Sequence, residues 1–517
     1  MRTIWQSLLW KEWHEHKWKL VSITAILWGV ATLAMLIEDK ADKLGVAFGM
    51  VTLCIVPLSV FVGAGAASNE RSRRTLPFLQ AVPVPMGRVV AAKVLFGVIT
   101  LTVPLLLAIA LFYLRSSLFT GDGRILMTAG ELKNSLTGNW YLDAIAFAFP
   151  LVLSLFIWTA ATGVNRRDEV SAGAVALGAM TAWYLLMLFL SYLIFVLFDS
   201  AYGSNSPYAW LKQLGMSTAA GGFVWPFSDR NPQWVPILVG AVGMHAALLA
   251  WYSLRFGRVS GTENYSPPAA RRVVGQLEWL PKPHKSPFAA IVWKQFRESG
   301  SLALAGLAGL AGIIAVSFFS SPTYFLQEPD HLAELILGVC ATIGCSVAIV
   351  VGIGVCIRDV SPGLNSFWRS IPINVDLWFW VKFVTGMLVL LAAMWGPLLV
   401  ALFALSSDPN RILSHSSYGA LPLVQIAVFS AAVAATCLVR QAIYAAILSI
   451  AATYAGIIAA WGLWFLAARF GLAHAQTSLL SELTAAQVGV GMVLSFIACT
   501  IAAWLATRHD WGRKTPD

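Results

Sequence analysis

Apolar runs of about twenty residues recur twelve times along this chain, and that recurrence restricts its fold more than any other feature. A bilayer core of about 30 Å is crossed by a helix of about 20 apolar residues. Inside hydrocarbon the backbone satisfies itself only as a helix or a closed barrel. The runs are 20–37, 44–67, 94–114, 141–164, 170–198 and 235–254, then 302–319, 332–357, 379–405, 421–439, 442–468 and 485–506. They predict an all-α polytopic membrane protein of about twelve transmembrane helices. Composition agrees, with 58% of residues hydrophobic and 12% charged. That is about half the charge of a typical soluble domain and too little for a disordered chain.

Charge supplies an orientation. With both termini in the cytoplasm, 26 of the 35 Lys and Arg residues fall in inner segments, whereas the acids divide almost evenly. This bias predicts a plasma (inner) membrane protein with cytoplasmic termini. It also accounts for the net charge of +10 without nucleic acid as a partner. Many Trp residues, among them Trp18, Trp140, Trp234, Trp251, Trp378 and Trp504, stand near run ends, where interfacial rings are favoured. Residues 1–19 place Trp5, Leu8, Leu9 and Trp13 on one helical face, the pattern of a helix lying in the inner interface. No cleavable signal peptide is apparent before the first run. The six cysteines all lie in apolar runs with no Cys-x-x-Cys pair, so they read as packing residues.

The polar segments reveal an internal repeat. Leu9-Trp10-Lys11-Glu12-Trp13-His14-Glu15 is echoed by Val292-Trp293-Lys294-Gln295-Phe296-Arg297-Glu298. Phe78, Pro83 and Lys93 match Phe367, Pro372 and Lys382 at an offset of 289, and Glu70 meets Asp359 at the same offset. Trp251 and Arg255 answer Trp504 and Arg508 at 253. The shortfall of 36 falls mostly in outer loops, which are longer in the first half. The predicted organisation is an interfacial helix at 1–19, a six-span unit at 20–255, a Pro-rich cytoplasmic linker at 256–287, a second unit at 288–508 and a tail at 509–517. An even number of spans makes the units parallel, related by a pseudo-twofold axis along the membrane normal.

The segment Asn69–Lys93 joins the second and third runs on the inner side. It combines an acid, a basic cluster and an apolar stripe of Leu76, Phe78, Leu79 and Val82 ahead of Pro83-Val84-Pro85. From composition alone it is equally an apolar-knobbed docking helix or a positively charged loop at the lipid surface. Glu70, Thr75-Leu76, Leu79, Pro83-Val84, Arg88 and Lys93 resemble the permease subunits of the type-2 ATP-binding-cassette (ABC) transporter family. The resemblance implies that this loop is a coupling helix seated on a soluble ATPase subunit, two copies of which would suit two fused permease halves. Glu70, Arg71, Arg73, Arg74, Thr75, Leu76 and Phe78 would form the contact, with Asp359, Phe367 and Arg369 as a weaker counterpart. The second copy departs from the pattern: Ser361-Pro362-Gly363 replaces the basic cluster and Asn365-Ser366 the Leu-Pro. No Gly-x-x-x-x-Gly-Lys-Ser/Thr loop occurs, so ATP and Mg would belong to the partner and this chain would itself be no enzyme. The resemblance implies an exporter working by alternating access.

Two other functions compete with that expectation. An ion-coupled secondary transporter needs ionisable residues at mid-membrane, and the run centres are almost bare of them, His245 being the clearest exception. A non-transporting membrane scaffold is the other. For catalysis, His14-Glu15-His16 lacks His-Glu-x-x-His spacing and no Ser/His or paired-Asp constellation stands out within the runs, so no catalytic or metal-binding residue is expected. The outer segment 199–234, with Trp210, Gly221-Gly222 and Trp225-Pro226, reads equally as a re-entrant hairpin and as a folded outer loop.

Overall fold

A computed structural model describes residues 4–37, 43–72, 75–76, 79, 84–118, 140–166, 169–198, 209–221, 234–258, 286–320, 329–357, 359, 374–400, 403, 421–469 and 485–512. Among them the regular structure is entirely helical. The first half contains α1 (Ile4–Ile37), α2 (Lys43–Ser72), α3 (Met86–Leu118), α4 (Trp140–Thr162), α5 (Glu169–Phe198), α6 (Ala209–Ser217) and α7 (Trp234–Arg255). The second contains α8 (Pro287–Ser320), α9 (Pro329–Cys356), α10 (Val375–Val400), α11 (Leu421–Val439), α12 (Ala442–Arg469) and α13 (Ala485–Gly512). Among the described residues, each of the twelve apolar runs overlaps a helix of its own. Seven helices, namely α3, α5, α7, α9, α10, α11 and α13, are long and apolar enough to cross a membrane among the described residues. Shorter apolar stretches occupy α4 and α12.

Many large apolar side chains face outward. Val235, Leu238 and Val242 on α7 and Val490, Ile497 and Ile501 on α13 are all exposed. Apolar surface of that extent belongs in lipid rather than water.

The expected in-plane helix at 1–19 is not separate. Residues 4–37 form one helix of 34 residues, about 51 Å long at 1.5 Å per residue. No Pro interrupts it, and its charged end is pinned to α2 and α3 by the ion pairs described below. Helix α8 repeats the device with 34 residues, starting at Pro287, where a missing N–H costs nothing.

Packing in the two halves follows one scheme. Helix α1 lies along α3 as α8 lies along α10, and α2 crosses α4 as α9 crosses α11. The closeness of the second crossing rests on glycine. A Cβ on Gly63 would come within 2.8 Å of the Phe156 carbonyl, and one on Gly352 within 2.8 Å of the Phe429 carbonyl. Those phenylalanines, both fully buried, also fill the space left by Gly97 and Gly386. The tight corners between α4 and α5 and between α11 and α12 each turn on one non-glycine residue at positive φ, Asn165 at 64° and Arg440 at 56°.

The halves differ around α6. In the second, α13 packs closely on both α11 and α12. In the first, the nine-residue α6 sits between α5 and α7, and α7 is correspondingly looser on α4. Gly240 admits α6, because a Cβ there would meet the Ser217 Oγ at 2.1 Å and the Leu214 carbonyl at 2.6 Å. Between halves, contacts are reciprocal: α5 packs on α8 and touches α9, while α12 packs on α1 and α2.

Candidate functional site

At one end of the bundle, three consecutive helices are tied together by buried charge. Helical spacing aims Lys11, Glu12, Glu15 and His16 of α1 toward neighbouring turns. Glu70 comes from the last turn of α2 and Lys93 from the second turn of α3. Lys93 Nζ lies 2.8 Å from Glu70 Oε1 and 3.2 Å from Glu12 Oε1. Lys11 Nζ lies 2.6 Å from Glu70 Oε1, with Glu12 and Glu15 at 3.4 and 3.5 Å. Glu12, Glu70 and Lys93 are all buried, a burial that charges tolerate only when paired and hydrogen-bonded.

The same arrangement recurs in the second half. Asp359, just past the end of α9, accepts from Lys294 of α8 at 2.7 Å and from Lys382 of α10. Glu298 lies 3.7 Å from Lys294, as Glu15 lies near Lys11. One exchange separates the copies. Gln295 stands where Glu12 does and Ser299 where His16 does, and Gln295 donates to Ser299 instead of pairing with a lysine. The first cluster thus carries one more acid than the second.

Electrostatics favour a charged carboxylate at Glu70 and at Asp359. Burial alone would raise the Glu70 carboxyl, but Lys93, Lys11 and the Thr75 hydroxyl outweigh it and hold it near about 2. Asp359 is likewise lowered, with Lys382 and Lys294 overcoming burial. His16 donates or accepts through Nδ1 at Thr100 Oγ1, 3.0 Å away. Thr100 already donates to the Phe96 carbonyl, so it is the acceptor and His16 carries the Nδ1 proton. Burial, then Lys19, Lys93 and Lys11, lowers His16 from 6.5 to about 2. Glu12 lies 3.8 Å from the other ring nitrogen, Nε2. The oxygens of Glu12, Glu15 and Glu70 lie within 4.8 Å of one another, as metal ligands would, but the cations they hold are Lys11 and Lys93.

This cluster fixes the start of the 69–93 loop. Thr75 donates its hydroxyl to Glu70 Oε2 and its N–H to the Glu70 carbonyl, 2.9 Å away, and Leu79 N–H returns to Thr75 O. Arg71 donates to the carbonyl of Asn165 in the α4–α5 corner. Leu76 and Leu79 turn inward, and Leu76 reaches toward Gly257 beyond α7. Glu70, Leu76 and Asp359, expected at a partner contact, are buried among this chain's own residues: Glu70 and Asp359 against lysines, Leu76 near Gly257 beyond α7. Arg73, Arg74, Phe78, Phe367 and Arg369 lie outside the described residues.

The structure also joins residues the sequence left apart. Ser154 of α4 and His245 of α7 meet at 2.7 Å, His245 Nδ1 facing the Ala241 carbonyl at 2.6 Å. The Gly221 N–H donates to the same serine. A Ser/His pair thus exists within the helices, contrary to expectation. Both groups are occupied with each other and with backbone, which is a packing role. The sequence does not place Lys11 against Glu70, or Glu12 on the Lys93 that Glu70 also holds, although the repeated Trp-Lys-Glu/Gln motif is their signal. Comparison with protein-family models, with curated proteins and with solved structures finds no match to this chain.

Proposed function

We propose that this chain is the fused permease component of an ABC-type exporter in a plasma (inner) membrane. It would comprise twelve spans in two parallel six-helix units, with both termini cytoplasmic and with ATP and Mg handled by separate soluble ATPase subunits. One observation carries the reading: the lysine–carboxylate clamp that holds the loop after α2 to the foot of α1 and α3, matched after α9 by α8 and α10. A loop that transmits force must not slide on its own helices, and buried ion pairs oppose such sliding. The reciprocal packing of α5 on α8 and α12 on α1 supports two halves that rock about a common axis.

The sparse charge within the helix middles disfavours ion coupling, and a scaffold has no use for two such lysine–carboxylate clamps. Because Leu76 is buried, contact with the ATPase falls to the basic cluster around it. The test is to purify the full chain with its candidate ATPase and measure ATP turnover. Arg73→Glu plus Arg74→Glu should abolish co-purification while leaving thermal stability unchanged. An ATPase that stays bound and fully stimulated contradicts the assignment.

A further inference from the structure

Two corners of the bundle answer each other and differ in one respect. At the end of α13, Arg508 stacks on Trp504, 4.5 Å from its ring centroid. Both grip Asp376, the second residue of α10. Arg508 donates through Nη2 at 2.8 Å and Nε at 3.0 Å, and the Trp504 indole N–H at 2.8 Å. At the end of α7, Arg255 stacks on Trp251 in the same way, at 4.4 Å. The position answering Asp376, 289 residues earlier and likewise second in its helix, is Gly87. A Cβ there would meet nothing within 4 Å. No carboxylate stands at that position in the first half.

More cations surround this Arg–Trp pair. Arg166 and Arg258 join Arg255 and Trp251 around a pocket of about 350 Å³ that Arg71, bonded to the Asn165 carbonyl, also borders, and no acidic side chain lines it among the described residues. Lys11, Lys93, Lys294, Lys382 and Arg508 are by contrast each paired with an acid of this chain. The pocket is held in shape by Asn165, whose Nδ2 donates to the carbonyls of Arg255 at 2.7 Å and Arg258 at 3.4 Å. That capping occupies helix-end carbonyls that would otherwise repel an anion.

We infer that this pocket binds a phosphate oxyanion, which supplies from outside the chain the counter-charge Asp376 supplies in the other half. Guanidinium forks and an indole N–H suit an oxyanion, as the Asp376 carboxylate already demonstrates. Phosphate reaches such a site either as an anionic lipid headgroup or as a dissolved phosphate. The inference stands independently of any motor subunit.

The test uses the full chain in phosphatidylcholine nanodiscs, following phenylglyoxal modification of each arginine by mass spectrometry. Modification of Arg255 and Arg258 should slow about tenfold, as a charge-assisted contact provides, on one of two additions. A response to phosphatidylglycerol replacing part of the phosphatidylcholine assigns the site to a headgroup; a response to inorganic phosphate assigns it to a free ligand. Arg508, already paired, serves as the unresponsive reference. Gly87→Asp restores the missing carboxylate in open space and should abolish both responses. If that variant does not fold, Arg258→Gln must weaken the response at Arg255. Wild-type rates unmoved by either addition, or an equal response in Gly87→Asp or in Arg258→Gln, overturn the inference.

Discussion

Lys93 and Lys382 each stand buried at the foot of a helix, where their ammonium groups are the main counter-charge to a buried carboxylate. Lys93→Met leaves Glu12 and Glu70 to the partly exposed Lys11, and removing one partner of a buried pair costs roughly 3–5 kcal/mol. Thermal unfolding in detergent should show that loss, with part of it recovered in Lys93→Met plus Glu70→Gln. Acid should unfold the protein through two groups. Glu70, near about 2 rather than 4.5, contributes stability that is complete above pH 4.5 and lost as pH falls toward 2. His16, lowered from 6.5 to about 2, stays neutral in the fold while the unfolded chain takes up a proton below pH 6.5. Stability should therefore fall from pH 6.5 downward, by up to about 1.4 kcal/mol per pH unit from His16. His16→Asn should flatten the melting-temperature profile between pH 6.5 and 4.5 and leave the steeper loss below it; an unchanged slope there would mean a charged His16 in the fold. The sequence made Glu70, Asp359, Lys93 and Lys382 visible because polar matches at one offset stand out from an apolar background. Glu12 was hidden, because on an amphipathic helix an acid reads as wet until another helix arrives to cover it.

Among the helices, those of span length were legible as apolar runs, since a stretch of about 20 such residues has few alternatives. The nine-residue α6 was not, because its length and composition equally suit an outer loop. Its effect is nonetheless large: it separates α5 from α7 in the first half, where α12 and α13 touch in the second. Val493 occupies the position of Gly240 in the repeat register. Gly240→Val should therefore expel α6, since the added carbons meet the Leu214 backbone carbonyl and Ser217 rather than a yielding side-chain tip. Hydrogen exchange of amides 209–217 should quicken at least about tenfold while α4 remains protected. Exchange that stays slow would show that α6 is anchored instead by Trp183, whose indole donates to Thr218 at 3.0 Å, and by the Met187, Leu188 and Met216 cluster. The Ser154–His245 meeting was equally out of reach, because which faces of two distant helices oppose each other is decided by packing and not by either run alone.

At the scale of the whole chain, the proposed rocking of halves makes a demand on their reciprocal contacts, which must loosen or slide during each cycle. Helices α5 and α8 meet through small residues: a Cβ on Gly309 would lie 3.6 Å from the Thr181 hydroxyl oxygen, and one on Gly312 would lie 3.3 Å from its methyl. Thr181→Cys with Gly309→Cys brings one sulfur close to the other β-carbon, within the reach that a disulfide needs. Oxidation should then bridge the halves through a contact both of them share, without disturbing either lysine clamp. If ATP turnover in the partner depends on the halves separating, stimulation should vanish on oxidation and return with reductant, while the unbridged double variant behaves as wild type. A bridged chain that still stimulates its partner in full would place the working motion elsewhere, either within one half or at the opposite seam, where Cys54 of α2 lies 3.7 Å from the Tyr454 hydroxyl of α12. That seam is the mirror of the first in the packing scheme, so bridging each in turn distinguishes a symmetric rocking from a hinge that opens on one side only.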